Sequence, residues 1–398
     1  MAARGIEMVE AGCEHIVVLG VDFMSENARA MLDDAGHSKV PVYRVAEDPI
    51  GCSLAESAEA QAYGAYLAEA AKTPHAIHVV YINTSLVTKA KSHARVPTIT
   101  CTSSNVVQTC LQAAAEIDDV EIFFGPDTYM GHNLVALFEV MAKMSDDEVR
   151  AVHPKHTAAS VAALLKRFHV FEQGNCVVHH MFGADVTRQV REDHADAFVT
   201  AHLEVPGEMF ALALEKQRAK RGVVGSTSNI LGFILDRVRE AVDVGEKATL
   251  PFVLGTEAGM ITPIVRKVQA MLAAAKSPVE VEVVFPVASG AIATTGEGDL
   301  PIVPGVAAGE GCTTAGGCAT CPYMKMNSLV ALLDLCRRIG TLTPETLAPF
   351  YPKQYVEMIG GRTAADLGSE PILHMRHFQT SGHMAPALVE DVLTRASA

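Results

Sequence analysis

Short apolar runs recur along the chain and pass directly into polar turns. They occupy the stretches 15–21, 40–45, 78–85, 98–105, 120–126, 197–204, 222–229, 250–260 and 281–286. Most of these runs are rich in Val, Ile, Leu or Phe, the pattern of a strand buried on both faces. Helically patterned stretches separate them. Asp22 opens one such stretch, and Gly51-Cys52-Ser53-Leu54-Ala55 opens a long alanine-rich one. Regular alternation of strand and helix predicts parallel sheets joined by right-handed crossovers.

The polar turns repeat as well. The run at 78–82 ends in Asn83-Thr84-Ser85, and the next in Thr102-Ser103-Ser104-Asn105. The run at 197–204 carries His202 and Glu204, and the next ends in Ser226-Thr227-Ser228-Asn229. This is an approximate internal repeat with two clear copies and a partial first one. The expected fold class is α/β, with three αβα domains built on parallel sheets around a pseudo-threefold axis. The expected boundaries are 1–77 for a first domain that is N-terminally incomplete, 78–195 for the second and 196–335 for the third. A C-terminal segment, 336–398, packs back on the first domain. Such an arrangement brings strand C-termini together, where α/β sheets bind ligands.

Composition narrows the function. The chain has 398 residues, of which 49% are apolar and 20% charged, so disorder is excluded. With 32 basic and 46 acidic residues the net charge is −14, which disfavours a nucleic-acid partner. No apolar run reaches membrane-spanning length, so no membrane partner is expected. The first residues contain no signal-peptide core, and their acidic side chains argue against a transit peptide. Nine scattered cysteines suit a reducing compartment rather than a disulfide framework. The expected location is cytoplasmic, or plastid if a further segment lies upstream. Residues 288–312, rich in Gly, Ala, Pro and Thr, read as a long surface loop.

The candidate chemistry centres on residues 311–327, where Cys312, Cys318 and Cys321 are threaded with glycine. The spacing fits neither a zinc ribbon nor a ferredoxin run. It leaves room for one of these cysteines to join two distant ones around a cluster. Cys52, Cys176 and Cys321 each stand near the end of a repeat unit. Three thiolates would leave one iron of a 4Fe–4S cluster open as a Lewis acid. The alternative is three ordinary buried thiols. Cys13, Cys101, Cys110 and Cys336 lie in apolar patterns and read as core. Cys312 and Cys318 could form a redox dithiol, substitute as ligands, or carry no chemistry.

Ser103, Ser226 and Thr227 stand at strand-to-helix turns, either as an anion site or as plain N-caps. His202 and Glu204, two residues apart on a strand end, share one face and could work as an acid/base pair. Tyr81 and Asn83 have the same spacing in the preceding copy. His179 follows Cys176 by three and could reach the same cavity. His153, His156, His374 and His377 read as surface residues. The chain has no HExxH, P-loop or GxGxxG.

Taken in order, nine strings resemble quinolinate synthase, and its plant-type branch most closely. They are Gly20-Val21-Asp22-Phe23-Met24-Ser25-Glu26, Gly51-Cys52-Ser53-Leu54-Ala55, Tyr81-Ile82-Asn83-Thr84-Ser85, Thr102-Ser103-Ser104-Asn105, Cys176-Val177-Val178-His179, His202-Leu203-Glu204, Gly225-Ser226-Thr227, Thr256-Glu257-Ala258-Gly259-Met260 and Cys321-Pro322-Tyr323-Met324-Lys325-Met326-Asn327. The resemblance runs from near residue 8 to near residue 380. It implies a 4Fe–4S cluster held by Cys52, Cys176 and Cys321, with Glu204, His202 and Tyr81 as catalytic residues. It implies substrate binding by Asn83, Ser103, His179, Ser226 and Thr227. The implied reaction condenses iminoaspartate with dihydroxyacetone phosphate to quinolinate in NAD biosynthesis, with coupling to L-aspartate oxidase. The family's first domain begins with a His- and Tyr-bearing strand and a Ser-bearing turn. Those positions fall upstream of residue 1, so the edge of the strand at 15–21 is expected to be unpaired. A ligand-binding remnant without turnover, or another 4Fe–4S hydro-lyase on the same scaffold, is the alternative.

Overall fold

The computed structural model describes residues 2–286 and 321–395. Of these, residues 2–131, 135–174 and 323–395 belong to one unit, and residues 132–134, 175–286 and 321–322 to another. In the first unit the run after His15 gives β1 (Ile16–Val18), which pairs in parallel with β2 (Val42–Arg44). Among the described residues β1 pairs with β2 alone.

A second parallel sheet in this unit is built from β3 (Ala76–Tyr81), β4 (Thr98–Cys101), β5 (Glu121–Gly125) and β6 (Phe168–Val170), in the order β4-β3-β5-β6. All six residues of β3 are buried, because helices cover both faces of a parallel sheet. The polar His78 is tolerated there because its Nε2 is 2.8 Å from the Tyr63 hydroxyl. Ser85 caps the helix Leu86–Arg95, its hydroxyl accepting from the Thr88 N–H.

The stretch after Arg338 contains a long helix, Ala364–Ser381, that packs on Leu86–Arg95 and on β4. It approaches so closely that a Cβ on Gly368 would lie 2.1 Å from the Leu86 carbonyl oxygen. Only glycine fits such a crossing. His374 is half-buried in this contact, its Nδ1 3.1 Å from the Thr98 carbonyl, and His93 Nε2 meets Glu370 Oε2 at 3.0 Å. The surface reading of His374 is therefore corrected, while His377 is exposed.

His153 and His156 are also corrected: each is only 3% exposed. His153 Nε2 reaches Gln112 Oε1 at 2.8 Å, and His156 Nε2 reaches the Leu111 carbonyl at 2.7 Å, so the helix Val106–Glu116 supplies partners that permit burial. Cys101 and Cys110 are core residues, as expected, whereas Cys13 is half-buried and Cys336 exposed. The core reading of those last two is corrected; Cys336 lies on the outer face of the helix Leu329–Arg338.

The second unit repeats the strand plan. β7 (Phe198–His202), β8 (Gly222–Gly225), β9 (Thr249–Gly255) and β10 (Glu280–Val284) pair in parallel in the order β10-β9-β7-β8. In both four-stranded sheets the first strand is central, its neighbours are the second and third, and the fourth adds outside the third. Tyr81 sits opposite Cys101 in one sheet, and His202 opposite Gly225 in the other. Ile230, Ile234, Val238, Phe252, Leu254, Ile264 and Val268 fill the core between β9 and the helices Thr227–Val244 and Ile261–Ala275. Parallel pairing and the strand–helix alternation give the α/β class expected from the apolar runs. No helix among the described residues is long and apolar enough to cross a membrane.

Candidate active site

The second unit gathers its polar residues at the C-terminal end of β7. His202 is the last residue of the strand, and Glu204 follows in the turn. The turn keeps Glu204 on the same side as His202, as the strand spacing predicts, and each is 4% exposed. Cys176 precedes a single 3-10 turn, His179–Met181, which brings His179 alongside them. The His179 and His202 rings stack with centroids 4.7 Å apart and planes 15° apart. His179 Nδ1 lies 2.9 Å from Glu204 Oε2, and His202 Nδ1 lies 3.8 Å from Glu204 Oε1. The Glu204 backbone N–H donates to His202 Nδ1 at 3.3 Å, so that nitrogen carries no proton and the neutral ring is the Nε2–H tautomer.

The electrostatics follow from burial. Desolvation lowers the His202 pKa to about 4, against an upward pull from Glu204, and neighbouring His179 lowers it further. His202 is thus a neutral imidazole near pH 7. Burial raises the Glu257 carboxyl, opposed by His179; nearby Glu204 raises it and the Cys321 N–H lowers it. One ligand atom each from Cys176, His179 and Glu204 lies within 4.8 Å of the others. A half-buried thiol, a buried imidazole and a buried carboxylate this close can hold a metal or move a proton.

Thr256 and Glu257, in the turn after β9, were not singled out as site residues by the sequence pattern. Thr256 Oγ1 is 3.3 Å from His179 Nε2 and fixes the far side of that ring. The available signal was their place in one more polar strand end. Ser226 is the N-cap of Thr227–Val244, its hydroxyl accepting from the Asn229 N–H in a reciprocal capping box. Its hydroxyl therefore serves the helix, the plainer of the two readings. Thr227 is the first helical residue and half-buried.

In the first unit Tyr81 closes β3 and is 4% exposed, while Asn83 and Ser103 are half-buried in the turns after β3 and β4. The pairing of those strands puts these turns side by side at one sheet end. Cys52 occupies the N-cap position of Ser53–Glu59, beside a cavity of ≈ 610 Å³ whose lining includes Asp22, Glu26, Arg44, Glu59 and Ser85. Burial raises the Glu26 carboxyl, although it accepts from the Leu86 N–H (3.0 Å) and the Tyr355 hydroxyl (2.9 Å).

The thiols fall into two chemical groups. Complete burial pushes Cys101 and Cys110 far above the ordinary thiol range, so they are inert. Cys52, Cys176 and Cys321 are half-buried, and Cys176 stands beside a histidine and a carboxylate. That donor chemistry fits the iron–sulfur group that the resemblance implies. Cys312, Cys318 and the surface-loop reading of 288–312 all fall outside the described residues.

Residues 5–294 match the family model for quinolinate synthetase A protein. The chloroplastic quinolinate synthase of Arabidopsis thaliana is 52% identical over 406 residues, covering 99% of this chain and 56% of that protein. A chloroplastic quinolinate synthase of Nicotiana tabacum is 51% identical over 408 residues, covering 100% of this chain and 57% of that protein. The quinolinate synthase of Methanopyrus kandleri is 30% identical over 254 residues, covering 64% of this chain and 70% of that protein. The chain thus spans a little over half the length of the plant relatives it matches. The cytoplasmic expectation is corrected by these relatives, since the plant proteins are named as chloroplastic. With the matched region reaching across both four-stranded sheets and the His179–Glu204 constellation, the chain belongs to the quinolinate synthetase A protein family.

Proposed function

We propose that the chain acts as a quinolinate synthase, joining iminoaspartate and dihydroxyacetone phosphate to give quinolinate, phosphate and two waters. The observation that carries this reading is the buried His179–Glu204–His202 constellation beside Cys176, on a chain with family similarity along its length. Cys52, Cys176 and Cys321 would hold a 4Fe–4S cluster, which supplies a Lewis-acidic iron when bound.

The protein's own residues do the rest. Glu204 takes a proton from substrate carbon or nitrogen, and His179, 2.9 Å away, stabilises the charge it gains or loses. Neutral His202 offers an Nε2–H donor to a substrate oxygen. Tyr81 adds a hydroxyl at the end of β3, with Asn83 and Ser103 in the adjoining turns to bind carboxylate or phosphate oxygens. Ser226 and Thr227 contribute the N-terminal end of an 18-residue helix, whose N–H groups favour anions. Burial of His179, His202 and Glu204 keeps bulk water from competing for the protons they move.

In this reading the chain comprises three αβα copies plus a C-terminal segment, works in a plastid, and receives its imine from an L-aspartate oxidase. The test is anaerobic reconstitution with iron and sulfide, followed by chromatographic assay of quinolinate from the two substrates. The expected protein is brown, absorbs near about 400 nm, and forms quinolinate. A fully loaded protein that forms none refutes the activity.

A further inference from the structure

The turns after β3 and β7 are gripped in the same way by side chains that belong to neither strand. Strand register makes Ile82-Asn83-Thr84 and Leu203-Glu204-Val205 corresponding segments, since Tyr81 and His202 hold equivalent places in their sheets. The correspondence continues one residue further: the Ile82 N–H donates to the Cys101 carbonyl at 2.9 Å, and the Leu203 N–H to the Gly225 carbonyl at 3.2 Å.

Beyond that point a buried donor holds each turn. Lys89 is fully buried, and its ammonium donates to the Ile82 carbonyl (3.2 Å), the Thr84 carbonyl (2.5 Å) and Thr84 Oγ1 (2.9 Å). Asn133 belongs to the second unit and is 2% exposed; its amide donates to the Leu203 carbonyl (2.9 Å) and the Val205 carbonyl (2.7 Å). In both cases the acceptors are the carbonyls immediately before and after one residue, Asn83 in the first turn and Glu204 in the second.

The chemistry of each donor matches its task. An ammonium has three N–H groups, and Lys89 meets three oxygens. A carboxamide NH2 has two, and Asn133 meets two carbonyls. Burying an ammonium costs several kcal/mol unless its bonds are satisfied, so an apolar side chain would serve packing better at position 89. Holding the carbonyls of the residues on either side fixes the ends of the short span that contains the middle residue, which restrains its backbone torsions and hence the direction of its Cα–Cβ bond. A misplacement of about 1 Å at a reacting group can cost about 100-fold in rate.

We propose that Lys89 and Asn133 are paired positioning residues, each aiming one side chain of the site: Lys89 aims Asn83, and Asn133 aims Glu204. The proposal rests on the functional reading above for the roles of Asn83 and Glu204. It predicts two different signatures, because Asn83 binds and Glu204 moves a proton. Lys89→Met should weaken binding of pyridine-2,3-dicarboxylate and raise KM by about 10-fold, with a smaller change in kcat. Asn133→Asp replaces a donor with an acceptor facing two carbonyls, and should lower kcat by about 100-fold with little change in KM.

The experiment uses the full chain loaded anaerobically, with iron content, thermal midpoint, dicarboxylate titration calorimetry and steady-state kinetics on each variant. Leu388→Ala, a fully buried position in the helix Pro386–Thr394, serves as a stability control. A control that loses as much thermal stability but keeps wild-type Kd and kcat supports aiming over general stability. Clamp variants that also keep wild-type Kd and kcat overturn the proposal. Hydrogen exchange separates this from failure of the functional reading. If the wild type neither binds the dicarboxylate nor turns over, the activity is refuted, and exchange then decides the clamp. Amides at 82–86 and 203–207 should exchange as slowly as their strands and at least about 10-fold faster in the matching variant. Unchanged exchange there, or fast exchange in the wild type where a variant does not fold, overturns the clamp.

Discussion

Replacing Gly255 with alanine adds one methyl group at the end of β9, directly before Thr256. That Cβ would stand 2.4 Å from the Thr200 carbonyl oxygen and 3.2 Å from the Ala201 Cα, both backbone atoms of the neighbouring strand β7. A comfortable carbon–oxygen contact needs about 3.2 Å or more, so the two strands must part by close to 1 Å. Neither obstacle can rotate away as a side chain could. Overpacking of this kind costs about 1–3 kcal/mol and more where backbone must move. We expect Gly255→Ala to lose about 3 kcal/mol and to displace Thr256 from His179, whose Nε2 lies 3.3 Å from its hydroxyl. The comparison is Gly232→Ala in the interior of Thr227–Val244, where an added Cβ meets nothing within 4 Å. The same chemical change there should stabilise by about 1 kcal/mol through helix propensity. Urea unfolding of both variants measures the pair. A Gly255→Ala protein as stable as wild type would refute the reasoning, because the predicted opposition of signs comes only from what surrounds each Cβ.

Other consequences are as concrete. Glu204→Gln keeps the shape of the side chain but removes the base beside His179, and quinolinate formation should fall by about 100-fold or more while iron loading is unchanged; undiminished turnover would exclude Glu204 as the base. Cys52→Ser, Cys176→Ser and Cys321→Ser should each abolish stable cluster incorporation, whereas Cys110→Ala, at a fully buried thiol, should load normally; iron and sulfide analysis distinguishes them. Burial holds His78 at about 3, below its unfolded value, so the unfolded chain takes up the proton first. Its stabilising share is present above about pH 6.5 and is lost toward pH 3 at about 1.4 kcal/mol per pH unit. His78→Gln should flatten the decline of urea stability between pH 6 and 5 by about that slope, and an unaltered slope would show that His78 does not titrate this way.

The apolar runs and polar turns were enough to read the α/β class, the parallel strands, and the recurrence of a strand plan with polar residues at its ends. They were also enough to place His202 and Glu204 on one face, because period-two geometry is local to a strand. Distance along the chain defeats the same kind of reading elsewhere. His153 and His156 look solvent-exposed beside Pro154 and Lys155, yet Gln112 and Leu111, some forty residues earlier, give them buried partners. Thr256 is separated from His179 by 77 positions, and nothing near either residue announces their contact. Asn133 stands in an apolar helix, and Lys89 looks like an ordinary helical lysine until the carbonyls they hold are seen. Periodicity reports which way a side chain leaves its own element, so the sequence by itself determined the elements, their patterning and the residue types at their ends. Which groups from remote elements meet, and therefore which are buried, shifted in pKa or held in aim, depends on packing between elements, and that was decided only by the tertiary structure.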